Sequence, residues 1–238
     1  MSAAPGPSAS PGSQTPGRTL WSETKAYFES RGPTFVAAVV IIAGQTWLAN
    51  TLSFQPVWLF PTASAILLIA SAAVYRSDRT EPSVPLRLLA RAVVGVLALA
   101  SAVILLLLVR DVFGSSSLAP IQLLLAGLVL WAVNVAVFAL AYWEIDGGGP
   151  EERATDRNEL PDLVFPQQQA DQEGLAPKDW RPTFADYLYV SVTAATAFSP
   201  TDAMPYSKTA KLLMGLESTI SIAITAMLIA RAVNIAKG

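Results

Sequence analysis

Acidic and hydroxyl side chains interrupt an apolar stretch near the end of this 238-residue chain. Glu217 is followed there by Ser218, Ser221 and Thr225, whose hydroxyls recur at three- and four-residue spacing. Residues at that spacing share one face of a helix. An ionisable group inside a membrane span is costly and tends to mark an ion or proton route. We therefore expect Glu217 to titrate or to coordinate an ion.

A second polar stripe lies on the shorter apolar stretch 184–198 and consists of Asp186, Tyr189, Thr193 and Thr196. Polar stripes on consecutive helices can face each other, because hydrogen bonds and small side chains hold helices together in lipid. We predict that residues 182–238 form a polar helix hairpin of this kind. The leading functional hypothesis is passage or sensing of an ion or small solute along the hairpin.

Gln45, Asn134 and Arg231 are candidate partners for the acidic residues of the two stripes. Gln45 and Asn134 fall in the middle of predicted spans and are candidates for hydrogen bonds to Glu217. Asp186 and Arg231 both fall near the cytoplasmic ends of their helices if residues 184–198 cross the membrane, so we expect an ion pair between them. A hydrated pair of this kind contributes only about 1 kcal/mol.

The composition removes most enzyme chemistries. The chain has no cysteine and no histidine, which excludes disulfides, thiolate or imidazole metal sites and Ser-His-Asp triads. An aspartyl dyad needs two carboxylates that share a proton, whereas Asp186 and Glu217 fall at different depths. We expect no catalytic residue, no metal site and no cofactor. A net charge of -2 also argues against nucleic-acid binding.

The same composition indicates a membrane protein with the lipid bilayer as its main partner. Hydrophobic residues make up 53% of the chain, charged residues 14%, and the mean hydropathy is +0.45. A helix needs about 20 apolar residues to cross the hydrocarbon layer. Five runs meet that length, at 34–52, 57–75, 89–109, 120–143 and 210–235.

The stretch 184–198 decides the number of spans. If it crosses, the chain has six spans and Arg231 and Lys237 lie in the cytoplasm, in keeping with the preference of basic residues for that side. If it dips in and returns, there are five spans plus a re-entrant helix. We predict an all-α membrane protein, a bundle of about six transmembrane helices, with five plus a re-entrant helix as the alternative.

The distribution of basic residues also gives an orientation. Arg76, Arg79, Arg87 and Arg91 lie between the second and third runs, so the positive-inside rule places this loop and the N-terminus in the cytoplasm. We expect a multi-pass protein of a bacterial cytoplasmic membrane. Its predicted segments are a disordered N-terminus at 1–18, an interfacial helix and four spans at 19–143, a cytoplasmic acidic loop at 144–181 and the hairpin.

The acidic loop supports an alternative function. Leu163, Val164 and Phe165 stand among polar neighbours and could dock on the membrane surface or on another protein. The alternative is thus a non-catalytic membrane scaffold that binds a partner through its cytoplasmic loop. A homo-oligomer is a further alternative that the sequence leaves open.

The C-terminal half resembles a known group of proteins. The runs that carry the resemblance are YWEIDGGGP (142–150), VFPQ (164–167), DYLYVSVTAATAFSPTDAMP (186–205), AKLLM (210–214) and ARAVNI (230–235). They resemble bacterial multi-pass membrane proteins of unknown function, distantly similar to the DUF1345 integral membrane family. The resemblance implies a multi-pass membrane protein and no particular activity.

The same region is similar in outline to a pore-loop cation channel module, in which residues 196–202 would occupy the filter position. A potassium filter aligns backbone carbonyls in a conformation that glycine supplies, yet TAFSPTD contains no glycine and Pro200 fixes a negative φ. The short helix of that module also enters from outside, whereas the basic residues here bring the chain to it from the cytoplasm. We therefore expect a pathway other than a selective potassium pore.

Overall fold

Long apolar helices make up most of the chain in the computed structural model, which describes residues 20–53, 55–77, 84–114, 118–154, 160–170, 180–196 and 203–237. The helices are α1 (Leu20–Thr51), α2 (Leu59–Ser77), α3 (Val84–Phe113), α4 (Pro120–Ile145), α5 (Pro150–Ala154), α6 (Pro166–Ala170), α7 (Phe184–Thr196) and α8 (Lys208–Lys237). Two short strands, β1 (Leu163–Val164) and β2 (Met204–Pro205), and a 3-10 turn at Asp146–Gly148 complete the described elements. The all-α prediction is confirmed. The predicted disordered segment 1–18 lies outside the described residues.

Four helices are long and apolar enough to cross a membrane, which is compatible with a membrane protein. Their apolar segments are Gly32–Thr51, Arg87–Phe113, Pro120–Gly148 and Lys208–Val233. The described residues thus contain four such helices rather than the predicted six. One reason is that α7 is only 13 residues long, or about 20 Å, which is shorter than a hydrocarbon layer of about 30 Å.

The first helix is longer than the sequence predicted. Residues 19–30 were expected to form a separate interfacial helix, but α1 runs without a break from Leu20 to Thr51. Pro33 lies inside it. The first apolar segment is therefore the second part of one 32-residue helix.

Helix α4 lies at the centre of the bundle. Of its apolar segment 61% is buried, against 22% for that of α8, and it packs against α1, α3, α7 and α8. Polar side chains also join neighbouring helices. The Gln45 amide of α1 donates to the Leu97 carbonyl of α3 at 2.7 Å and to the Ser101 hydroxyl at 2.9 Å.

Local sequence sets both ends of α4. Pro120 occupies its first turn, where a missing N–H costs nothing, and the Ala119 N–H donates to the Gln122 side chain at 2.8 Å. At the other end, Gly147, Gly148 and Gly149 all adopt positive φ, which glycine tolerates best. The three glycines turn the chain sharply away from the helix axis.

Two ends of the bundle can be distinguished by their residues. We call the end that contains Asp146 the loop end; Arg87 in the first turns of α3 lies there, because its guanidinium contacts Glu152 at 2.8 Å. The opposite end contains Phe113, the last residue of α3, and Pro120, the first of α4.

The described part of the acidic loop is folded against the helices. Strands β1 and β2 pair antiparallel, with Leu163 opposite Pro205 and Val164 opposite Met204. Leu163 and Phe165 are buried. Two of the three apolar residues that were predicted to dock on a membrane or a partner are therefore packed inside the protein.

Candidate functional site

Helix α8 runs antiparallel to α4, and its first residues lie at the loop end. Three contacts show the direction, taken in order along α8. Glu217 bonds to Tyr142, and Ser221 accepts a hydrogen bond from Asn134 at 3.0 Å. Leu228 packs against Gly127, where a Cβ atom added to the glycine would lie 2.6 Å from the Leu228 Cδ2 atom. As α8 advances, its partners move back toward the start of α4.

Helix α7 also begins at the loop end and runs antiparallel to α4. Near its start, Tyr187 donates a hydrogen bond to Asp146 at 2.5 Å. One turn later, the Ser191 hydroxyl donates to the Val135 carbonyl at 2.7 Å. Both α7 and α8 thus leave the loop end in the same direction, so the prediction that they form an antiparallel hairpin is wrong.

The chain returns to the loop end between these two helices. Helix α7 ends at Thr196, and β2 is paired with β1 again from Met204 onward. The Tyr206 N–H donates to the Asp162 carbonyl at 2.8 Å, which fixes this return beside the acidic loop. The start of α7 and strand β2 therefore lie at the same end of the bundle, which agrees with the re-entrant alternative.

The end of α7 lies near the middle of the bundle. Ser191 is level with Val135 of α4, and Thr196 lies five residues further along, or about 7.5 Å. Helix α4 has 26 residues and is about 39 Å long. The last carbonyls of α7 are therefore about halfway between the two ends of the bundle.

One buried carboxylate joins α7 to its two neighbours at this level. The side chain of Glu217 is 0% exposed. It accepts a hydrogen bond from the Tyr142 hydroxyl of α4 at 2.5 Å and forms another with the Ser191 hydroxyl of α7. Each carboxylate oxygen thus has a hydroxyl partner, and one side chain links α4, α7 and α8.

Further hydrogen bonds extend this contact. The Ser218 hydroxyl donates to the Ala194 carbonyl of α7 at 3.1 Å, and Asn134 bonds to Ser221. Since Gln45 bonds to α3, neither predicted amide partner of Glu217 contacts it. Of the stripe predicted on α8, Ser221 is buried, Ser218 is partly buried and Thr225 is exposed.

A second buried carboxylate anchors α7 at the loop end. Asp146 is 1% exposed. One of its oxygens accepts the N–H groups of Asp162 at 2.8 Å and Leu163 at 3.0 Å, and the other accepts the Tyr187 hydroxyl. This carboxylate therefore joins the end of α4, strand β1 and the start of α7.

An arginine and several aromatic rings pack around this anchor. The Arg153 guanidinium donates to the carbonyls of Trp143, at 3.0 Å, and Asp146. It also lies over the Trp143 and Tyr187 rings, 4.7 and 5.2 Å from their centroids, a cation–π geometry. Phe165 of the loop packs edge-on against Tyr187 at 5.4 Å. The anchor is thus part of the packed core.

The polar stripe predicted on α7 is not the face that meets α8. Tyr189 and Thr196 are exposed, and the hydroxyls of Thr193 and Thr196 bond to carbonyls of their own helix. Asp186 caps the start of α7 by accepting the Thr183 N–H at 2.7 Å. The buried face consists of Phe184, Tyr187, Val190, Ser191, Ala194 and Ala195.

The predicted ion pair between Asp186 and Arg231 is also wrong. Asp186 lies in the first turn of α7 at the loop end. Arg231 lines a cleft with Val112 and Leu123 near the opposite end. The two were predicted to meet because a crossing α7 would have brought them to the same side; in the structure they lie at different ends of the bundle.

Sequence reasoning missed the residues that hold α7. Tyr187, Ser191 and Ala194 also share one face of the helix, and this face is adjacent to the one that carries the predicted stripe. Small residues are typical of close helix contacts, so Ser191 with Ala194 and Ala195 was the available signal. Asp146 could have been suspected from its place before three glycines.

The site consists of hydrogen bonds between helices and of the C-terminal end of α7. Within the described ranges, no group of three or more acidic, cysteine or histidine residues is placed to hold a metal ion. No protein-family model matches the chain, and no curated protein or solved structure matches it either.

Proposed function

We propose that the chain is a multi-pass membrane protein in which α1, α2, α3, α4 and α8 cross the bilayer and α7 is re-entrant. The 19 residues of α2 extend about 28 Å, close to the thickness of the hydrocarbon layer. Arg87 and Arg91 at the start of α3 belong to the loop end in this arrangement, so the positive-inside rule assigns the loop end and the N-terminus to the cytoplasm. The proposed location is a bacterial cytoplasmic membrane, as the resemblance to DUF1345-like proteins implies.

We further propose that the protein provides a path for small ions along α7 and past its C-terminal end. The observation that carries this proposal is the end of α7 near the middle of the bundle. Non-helical backbone at membrane depth is tolerated only where protein covers it or where it lines a water-filled cavity. Short helices that end inside the membrane are used by channels and transporters to face ions.

The geometry favours cations. The C-terminal end of a helix carries partial negative charge on its free carbonyls, and the end of α7 points toward the middle of the bundle. In the sequence, Asp202 is the first acidic residue after α7, and we propose that it contributes to cation preference. The absence of glycine from 197–202 makes a potassium-type filter unsuitable, so we propose permeation with little discrimination between monovalent cations.

The path lies between copies of the chain in this proposal. One side of α7 packs on α4 and α8, while Leu188, Tyr189, Val192 and Thr196 on its other side are exposed. In a single copy this side of α7 would face lipid. Association of several copies through α7 and α8 would enclose it.

Glu217 has a supporting role here. Because both of its carboxylate oxygens are engaged by Tyr142 and Ser191, it holds α7 in place and does not itself bind the ion. The scaffold alternative has less support, since Leu163 and Phe165 are buried.

Flux measurements on purified protein in liposomes test the proposal. We expect wild-type protein to pass potassium and sodium at similar rates and chloride much more slowly. Asp202→Asn should reduce cation flux, whereas Asp111→Asn, a matched control near the opposite end that removes the partner of Arg110, should not. Circular dichroism of each variant verifies the helical content. Wild-type flux equal to that of empty liposomes would reject permeation.

A further inference from the structure

Arg231 is a basic residue among apolar side chains near the opposite end of the bundle. It lines a small cleft between α3, α4 and α8 with seven apolar residues. These are Leu108, Val112, Leu123, Gly127, Ile224, Met227 and Leu228.

The Arg231 guanidinium has unused hydrogen-bonding capacity. Its Nε atom is buried and has no hydrogen-bond partner within the described part of the chain. A buried donor without a partner is destabilising, and guanidinium groups bind phosphate through two parallel hydrogen bonds. By contrast Arg110, at the same end, is largely exposed and pairs with Asp111 at 2.8 Å. Of these two arginines, Arg231 is the one that is set up to receive an anion.

The position of Arg231 matches that of a lipid headgroup. Two residues that line the cleft beside it are close to helix ends. Val112 lies in the last turn of α3, and Leu123 lies in the first turn of α4. Basic side chains near helix ends reach the membrane interface. From there the cleft continues along Gly127 and Leu108 toward the middle of the bundle, where its lining is apolar.

We propose that this cleft binds an anionic phospholipid, with the phosphate on Arg231 and part of an acyl chain against the apolar lining. A basic side chain beside an apolar cleft fits a lipid, which has both a charged headgroup and apolar acyl chains. A soluble anion would leave the apolar lining uncovered. Basic pockets between transmembrane helices bind anionic headgroups in the same way. This site is separate from α7 and does not depend on the proposed permeation.

Native mass spectrometry and thermal unfolding of the full chain in detergent test the site, with dioleoyl phosphatidylglycerol as probe and dioleoyl phosphatidylcholine as neutral comparison. We expect wild-type protein to retain phosphatidylglycerol preferentially and to unfold at a higher temperature in its presence. Arg231→Gln should weaken retention about tenfold, the effect of losing one charge-assisted contact. Arg231→Lys should keep most of it, and the matched control Arg110→Gln should keep all of it.

Glycerol phosphate, which has the anionic group without the acyl chains, separates a lipid from a soluble anion. We expect it to bind far more weakly than phosphatidylglycerol; equal binding would overturn the assignment to a lipid. Equal retention of the two phospholipids by wild-type protein, or equal losses in Arg231→Gln and Arg110→Gln, would overturn the site itself. If Arg231→Gln does not fold, two measurements still test the site. They are the retention of phosphatidylglycerol relative to phosphatidylcholine by wild-type protein and the retention of phosphatidylglycerol by Arg231→Lys.

Discussion

Two buried carboxylates hold α7, and they differ in what surrounds them. Asp146 at the loop end accepts two backbone N–H groups and the Tyr187 hydroxyl, and an arginine packs beside it. Glu217, in the middle of the bundle, bonds only to the hydroxyls of Tyr142 and Ser191 among the described residues. Both accept a hydrogen bond from a tyrosine on a neighbouring element.

The two carboxylates fix different features of α7. The anchor at Asp146 uses backbone groups of the returning loop, so it fixes where α7 begins. The contact at Glu217 uses only side chains of facing helices, so it fixes how α7 packs against α4 and α8. We expect the first to matter more for stability, because more donors lose their partner when it is removed.

The largest expected effect comes from Asp146→Ala. It would leave the N–H groups of Asp162 and Leu163 and the Tyr187 hydroxyl without an acceptor, and each unpaired buried group costs about 1–3 kcal/mol. We expect the free energy of unfolding, measured by circular dichroism during denaturation in detergent, to fall by about 3 kcal/mol or more. A loss below that of Glu217→Leu would reverse the ranking of the two anchors.

Glu217→Leu should have the second largest effect. The Ser191 hydroxyl keeps an acceptor in the Val135 carbonyl, so mainly the Tyr142 hydroxyl loses its partner. We expect a loss of about 1–3 kcal/mol in the same assay. Glu217→Gln, which retains an oxygen acceptor, is the matched control and should lose less. If Leu and Gln behave alike, the hydrogen bonds at this position contribute nothing.

Tyr142→Phe and Tyr187→Phe form the next comparison, since each removes one hydroxyl from one carboxylate. Glu217 would keep one partner and Asp146 two. We expect losses of about 1–2 kcal/mol for Tyr142→Phe and about 0.5–1 kcal/mol for Tyr187→Phe. Equal losses would show that the remaining backbone donors do not compensate at Asp146.

The smallest expected effect is that of Tyr142→Phe in a Glu217→Leu background. Residues that share one hydrogen bond are not additive, so the second substitution should change stability by less than about 0.5 kcal/mol. A full additional loss would show that Tyr142 acts through contacts other than Glu217.

The sequence predicted the helical class and four of the long helices closely, because hydropathy over 20 residues is a strong signal. It also singled out Glu217 as a buried acid. It failed on α7, where 15 apolar residues satisfy a short span and a re-entrant helix almost equally, and counting basic residues favoured the span. The pairing of Tyr206 with Asp162, which brings the chain back to the loop end, depends on a contact 44 positions apart that no local pattern reveals.

The re-entrant path of α7 is tested most directly by labelling single cysteines with an impermeant maleimide in membrane vesicles of known orientation. The native chain has no thiol, and Leu160, Met204 and Phe113 are 89%, 56% and 78% exposed. We predict that Leu160→Cys and Met204→Cys react from the same side and that Phe113→Cys reacts from the other. Reaction of Met204→Cys from the side opposite to Leu160→Cys would show that α7 crosses the membrane and would contradict this account.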